Sequence, residues 1–164
     1  MSGIDGPLAG RALVVAYAYL NRRERTVAEL RARLEREGDI AAAEIDAVVA
    51  QLLDYGYLDD RRYARLFTQD KRTLEHWGEE RIMRALHERG IDRELIDQAL
   101  AESASDGRLT GAQRALELLW QRFSAGPLQP RDRDRAFGVL ARKGYDSETA
   151  AEAVRAWGLG QQGL

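Results

Sequence analysis

Apolar residues recur along this chain at intervals of three and four, which is the spacing of one face of an α-helix. The first run covers positions 13 to 20, and similar runs follow at 27 to 34 and at 45 to 53. A polar turn or a glycine closes each run. The pattern predicts three helices in the first 58 residues. Because Ala, Leu, Arg and Glu are abundant and only three residues are proline, we expect little or no β-sheet elsewhere.

The same plan returns twice. Placing Gly38, Gly90 and Gly144 in register aligns apolar positions on both sides at offsets of 52 and 54. The aligned positions before the glycines are Leu30, Ile82 and Ala136, then Leu34, Leu86 and Leu140. A unit of this size buries its apolar face poorly alone, so neighbouring units should stack. We therefore predict an all-α fold, an elongated and curved array of three tandem three-helix repeats that resemble helix-turn-helix modules.

This alignment divides the chain into five segments. They are a disordered N terminus (1–10), repeat 1 (11–58), repeat 2 (59–105), repeat 3 (106–157) and a disordered tail (158–164). The small, polar, glycine-containing residues 103–107 predict a hinge between repeats 2 and 3.

Composition narrows the classes of function. The absence of cysteine excludes disulfides and thiolate metal sites, and no apolar run is as long as a membrane span. We therefore expect a cytoplasmic protein that does not bind membranes. The net charge is −2, and only repeat 3 carries more basic than acidic residues. A free-standing binder of duplex DNA usually has a strong basic bias, which this chain lacks.

The sequence offers little for catalysis. His76 and His87 are the only histidines, and no carboxylate pair stands beside them at a metal-ligand spacing. There is no phosphate-binding glycine loop and no nucleophile elbow. We expect no enzyme activity, no catalytic residue, no metal and no cofactor.

The most informative stretch begins near residue 56. Asp59 or Asp60 is placed to cap a new helix. The residues expected on its buried side are Tyr63, Leu66, Phe67 and Leu74, and those expected outside it are Arg61, Arg62, Arg65 and Arg72. A second, shorter helix is expected from about residue 79 to 89, closed by Gly90.

Two linked motifs in this stretch resemble the RecX family of recombination regulators. Residues 56–67 read Gly-Tyr-Leu-Asp-Asp-x-x-Tyr-Ala-x-x-Phe, and residues 77–91 read Trp-Gly-x-x-Arg-Ile-x-x-x-Leu-x-x-x-Gly-Ile. One departure is Glu79-Glu80, where the family tends to carry proline or basic residues. The resemblance implies a monomeric binding protein that inhibits RecA. It would lie along the recombinase filament on single-stranded DNA, with at most a weak contact to that DNA, and limit filament growth, ATP hydrolysis and strand exchange.

With this resemblance we assign a partner-binding role to six residues of repeat 2, namely Arg61, Arg65, Arg72, Trp77, Arg81 and Arg84. Periodicity alone favours a different interpretation of the arginines, a solvated helix face paired with neighbouring acids. Trp77 has an alternative role too, as a plug between the fourth and fifth helices. Two other functions remain open, a helix-turn-helix-like direct DNA-binding regulator and a helical-repeat scaffold for another protein.

Overall fold

The computed structural model describes residues 7–105, 109–123 and 125–160, with side chains from residue 10 onwards. This part of the chain contains nine α-helices and no strand. They are α1 (Pro7–Leu20), α2 (Val27–Glu35), α3 (Ala42–Asp54), α4 (Asp60–Glu75), α5 (Glu79–His87), α6 (Arg93–Ser105), α7 (Gly111–Arg122), α8 (Pro130–Lys143) and α9 (Ser147–Gly158). The all-α prediction is confirmed. Within the described ranges, no helix has the length and apolar character needed to cross a bilayer.

Local sequence signals explain where the helices begin. Thr26 caps α2 and forms a capping box with Glu29, as the Thr-x-x-Glu pattern predicts. Asp59 caps α4, because its carboxylate accepts a 2.8 Å hydrogen bond from the amide of Arg62. Thr110 caps α7 in the same manner as Thr26.

The three aligned glycines occupy equivalent positions. Gly38, Gly90 and Gly144 follow α2, α5 and α8, and their φ angles are +76°, +75° and +86°. This left-handed conformation favours glycine and ends a helix. The alignment of the three glycines is therefore confirmed.

Each set of three helices has a hydrophobic core of its own, so we keep the name repeat 1 for α1–α3, repeat 2 for α4–α6 and repeat 3 for α7–α9. Representative core residues are Leu30, Leu34, Val48 and Leu52 in repeat 1, Tyr63, Ile82, Leu86 and Ile96 in repeat 2, and Leu116, Leu119, Leu140 and Trp157 in repeat 3. Phe67, expected in the core, is half-buried against that of repeat 2. The chain thus folds as three successive small cores.

Several boundaries differ from the sequence prediction. Helix α1 begins at Pro7, so residues 7–10 are helical where disorder was expected. The expected hinge at 103–107 starts within α6, which ends at Ser105, and residues 106–107 lie outside the described part. Of the tail expected to be disordered from residue 158, Gly158 ends α9 and residues 159–160 form a hydrogen-bonded turn, whereas residues 1–6 and 161–164 lie outside the described part. Leu53, expected inside, is exposed on α3.

The residues that are buried on α4 also differ from those predicted. Leu74, expected inside, is 74% exposed, whereas Arg72, expected outside, is only 5% exposed. Helix α4 packs against α6, and besides Tyr63 its buried residues are Ala64, Thr68 and Arg72, which are spaced by four. Small side chains at 64 and 68 allow another helix to approach closely, so this row lies inside although it lacks large apolar residues.

Candidate partner-binding surface and the joints between repeats

The second helices of the repeats meet end to end. At the first joint, between repeats 1 and 2, the Thr26 hydroxyl at the start of α2 donates a 2.6 Å hydrogen bond to the carbonyl oxygen of Arg89, just after α5. Gly90 lies against Ala28 so closely that a Cβ on this glycine would stand 2.3 Å from the Ala28 Cβ. The carbonyl end of α5 therefore faces the amide end of α2, which is the favourable arrangement of two helix dipoles.

The second joint, between repeats 2 and 3, repeats this arrangement. The amide of Gly78, the N-cap of α5, donates to the carbonyl oxygen of Lys143 at 2.8 Å, and the amide of Glu80 donates to Gly144 at 3.1 Å. Thr26 and Gly78 are both N-cap residues, and the residues whose carbonyls they contact both directly precede an aligned glycine. The joints thus use corresponding positions of successive repeats.

A side chain supports each joint. Asp60 at the start of α4 accepts a 2.9 Å hydrogen bond from the amide of Val27 in repeat 1. Burial raises the pKa of Asp60, although the hydrogen bond from Val27 opposes the shift. At the second joint, the ammonium of Lys143 donates to the carbonyl oxygen of Glu75 at 2.7 Å. These contacts fix the orientation of neighbouring repeats.

Trp77 and Arg81 lie together near the second joint. The Arg81 guanidinium stands 4.1 Å from the centre of the Trp77 ring, and its Nη1 donates to the carbonyl oxygen of Arg142 at 3.2 Å. Trp77 is half-buried, meets the edge of Phe67 and packs against the core of repeat 2. The tryptophan therefore fills the space between α4 and α5 while its cation partner remains partly exposed.

The other predicted arginines lie in different surroundings. Arg61 is exposed and forms a 2.9 Å ion pair with Glu102 on α6. Arg65, also exposed, shares with Arg72 the wall of a cavity beside α4 and α6. Arg84 is exposed on α5 and forms no ion pair within the described residues. Arg72 is buried, so the expectation that it lies outside the buried side of α4 is wrong.

Sequence reasoning missed the contribution of repeat 3 to this region. Arg114 on α7 lines the same cavity as Arg72 and lies near enough for its charge to help lower the pKa of Arg72, after the larger effect of burial. One signal was available, because Arg114 stands beside the apolar positions 112, 115 and 116 of α7. In the described part of the chain, no group of three His, Cys, Asp or Glu residues could hold a metal ion.

Comparison with known families identifies the first two repeats. Residues 12–52 match the family model described as "RecX, first three-helix domain", and residues 59–100 match "RecX, second three-helix domain". These ranges fall on α1–α3 and α4–α6.

Whole-chain relatives extend the match. The regulatory protein RecX of Trichlorobacter lovleyi is 35% identical over 149 residues, covering 90% of this chain and 95% of the relative. That of Pseudomonas savastanoi pv. phaseolicola is 37% identical over 145 residues, covering 87% of each chain. The crystal structure of RecX from Lactobacillus salivarius superposes with a TM-score of 0.78 at 21% identity, covering 93% of this chain and 97% of that one, which supports the fold alone.

Proposed function

Because the chain belongs to the RecX family of regulatory proteins, we propose that it regulates a RecA-type recombinase by binding along the recombinase filament on single-stranded DNA. Bound in this way, it limits filament growth, ATP hydrolysis and strand exchange. It works in the cytoplasm as a monomer and through its surface, without catalysing a reaction.

The observation that carries this proposal is the repeated joint. Thr26 contacts the carbonyl of Arg89 at 2.6 Å, and Gly78 contacts the corresponding carbonyl of Lys143 at 2.8 Å. Two joints of one kind hold three repeats in series, and a series of similar surfaces suits a partner that is itself a repeating polymer. Several modest contacts on one body combine into a much stronger attachment, because each later contact forms within the same complex.

The proposed binding surface combines basic and acidic side chains with one aromatic side chain. The surface residues proposed to touch the recombinase are Arg61, Arg65, Trp77, Arg81 and Arg84. Arg72 contributes from the cavity wall and not from the outer face. Arginines interleaved with acids suit a protein surface that carries both signs, because such complementarity fixes the register of binding.

The test is ATP hydrolysis by the cognate recombinase on single-stranded DNA, measured with increasing amounts of this protein. We expect hydrolysis to fall and the protein to sediment with the filament. Unchanged hydrolysis at stoichiometric excess, with no co-sedimentation, would contradict the proposal. An oligonucleotide without recombinase provides the control, because tight binding that weakens steeply with salt would instead identify a direct DNA-binding regulator.

A further inference from the structure

A cavity of about 860 Å³ lies beside α4, α6 and α7, where repeats 2 and 3 meet. We call it the arginine cavity. Its charged and titratable wall residues are Arg65, Arg72, His76, Glu102, Arg114 and Glu117. Its volume falls in the range of about 300 to 1,000 Å³ that is usual for small-molecule sites.

Arg72 is the central cation of this wall. Only 5% of the residue is exposed, and its Nε has no hydrogen-bond partner among the described residues. Its other nitrogens make two long contacts, 3.3 Å to the carbonyl oxygen of Leu100 and 3.4 Å to the carboxylate of Glu79. Burial lowers the pKa of Arg72, because the charged guanidinium is less stable away from water than in it. The fold thus buries a cation whose hydrogen-bonding capacity it does not fill.

Two further polar atoms of the cavity wall also lack a hydrogen-bond partner among the described residues. The Nε of Arg114 and the Nδ1 of His76 are buried and have no hydrogen-bond partner in the described part of the chain. Buried polar atoms are nearly always paired, so three unpaired ones on one cavity wall are unusual. Because the two Nε atoms are covered, a ligand in the cavity would meet Arg72 and Arg114 through their terminal Nη groups.

The charge of the wall favours an anion. Glu102 is already engaged by Arg61 at 2.9 Å, which leaves Glu117 as the one wall carboxylate without an ion pair among the described residues. Arg72 also forms a 3.4 Å ion pair with Glu79, so among the described residues the three arginines Arg65, Arg72 and Arg114 face two carboxylates, those of Glu79 and Glu117. The charge of Arg114 lies close enough to disfavour that of Arg72, and an anion bound beside both would relieve this repulsion.

We propose that the arginine cavity binds a phosphate-bearing small molecule, with its phosphate oxygens accepting hydrogen bonds from Arg65, Arg72 and Arg114. Guanidinium groups suit phosphate because their planar donors pair with two oxygens at once. The cavity is larger than a lone phosphate requires, so the ligand carries an organic group as well, as a nucleotide does. The proposed regulation of a recombinase does not depend on this site.

The test is calorimetric titration of the full chain with pyrophosphate, ATP and, as an uncharged control, adenosine, all at one ionic strength. We expect saturable binding of one molecule of pyrophosphate or ATP per chain, and no binding of adenosine alone. Arg114→Gln should weaken that binding by about tenfold or more, because it removes a charge-assisted hydrogen bond. Arg72→Gln should do the same, with circular dichroism to verify that the variant folds.

Arg93→Gln is the control, because it removes the same charge from an exposed position on α6 outside the cavity wall. It should leave the affinity unchanged. Equal weakening by Arg93→Gln and Arg114→Gln would show that the effect is general charge attraction, and it would overturn the proposed site. Absence of saturable binding of either phosphate compound would overturn it too. Binding of a single-stranded oligonucleotide without pyrophosphate or ATP binding would assign the cavity to nucleic acid and contradict the proposal.

Discussion

The hydroxyl of Thr26 donates a hydrogen bond of 2.6 Å to the carbonyl oxygen of Arg89, although the two residues are 63 positions apart in the chain. Thr26 is fully buried at this point, and the same hydroxyl accepts the amide of Glu29 at 3.1 Å. One side chain therefore starts a helix of repeat 1 and receives the end of a helix from repeat 2. Local helix formation and the stacking of repeats are coupled in a single residue.

Replacing Thr26 should therefore lower the free energy of unfolding by more than the loss of a helix cap alone would. Thr26→Val removes both hydrogen bonds, and we expect the free energy of unfolding to fall by about 2 kcal/mol or more. Thr110→Val is the control, because Thr110 forms the same kind of capping box at α7 but is exposed, and its hydroxyl contacts no other repeat among the described residues. Urea denaturation of both variants measures the difference. Equal losses would mean that the contact with Arg89 contributes nothing.

Gly144 and Gly38 provide a second matched pair. Both have positive φ, but a Cβ at Gly144 would lie 2.3 Å from the Cβ of Arg81, whereas a Cβ at Gly38 would meet no described residue within 4 Å. Gly38→Ala should cost about 1 to 2 kcal/mol from backbone strain alone. Gly144→Ala should lower the free energy of unfolding by clearly more, because repeats 2 and 3 must also move apart to make room for the methyl group. Thermal unfolding checks this order, and a Gly38 variant as unstable as the Gly144 variant would contradict it.

The features that the sequence predicted correctly are those encoded within a few residues. The Thr26-x-x-Glu29 box, the Asp59 cap and the three glycines are local signals, since each needs only its own turn of helix to act. The order of the repeats was also predictable, because a pattern that occurs three times along the chain arises by chance less easily than one that occurs once.

The features that escaped prediction depend on what each helix meets in space. On α4, the spacing of large apolar residues suggested that Leu74 lies inside, but the buried row contains Ala64, Thr68 and Arg72, and Arg72 contacts the carbonyl oxygen of Leu100 on α6. Likewise, nothing near Thr26 in the sequence indicates a partner at Arg89. Packing against other helices decides which face of a helix is buried and where the joints form. The periodicity of apolar residues predicts a buried face only where that face carries large apolar side chains.

Tyr145 should make the protein sensitive to alkali. Burial raises the pKa of its phenol to about 12, and the hydroxyl has no hydrogen-bond partner in the described part of the chain. The unfolded chain ionises this group near its ordinary pKa of about 10, so its contribution to stability is complete below that pH and is lost as the pH rises towards 12. Tyr145→Phe keeps the packing and removes the ionisation.

The two proteins should therefore be nearly equally stable at neutral pH and diverge above about pH 10. By about pH 11 the wild type should have lost roughly 1 kcal/mol relative to Tyr145→Phe. Urea denaturation at a series of pH values measures this difference. Parallel pH profiles for the two proteins would show that the phenol ionises equally easily in the folded and unfolded states.

The serial arrangement of three small cores predicts an extended particle in solution. A compact domain of this length would have a radius of gyration of about 15 Å. Small-angle X-ray scattering should give a clearly larger value, because each repeat contacts its neighbour through a helix-end joint and not through a shared core. A value of about 15 Å would indicate that the repeats fold back on one another.

Arg84 offers the clearest test of the surface proposed to bind the recombinase. It is exposed on α5 and free of ion pairs in the described residues, so Arg84→Glu reverses a charge without breaking a described ion pair. We expect the concentration needed for half-maximal inhibition of the recombinase ATPase to rise by about tenfold, because like charges then face each other. Arg93→Glu on α6 is the control, since Arg93 has an 81% exposed side chain and lies outside the proposed contact set. Equal effects of the two reversals would mean that net charge, and not the position of Arg84, governs the interaction.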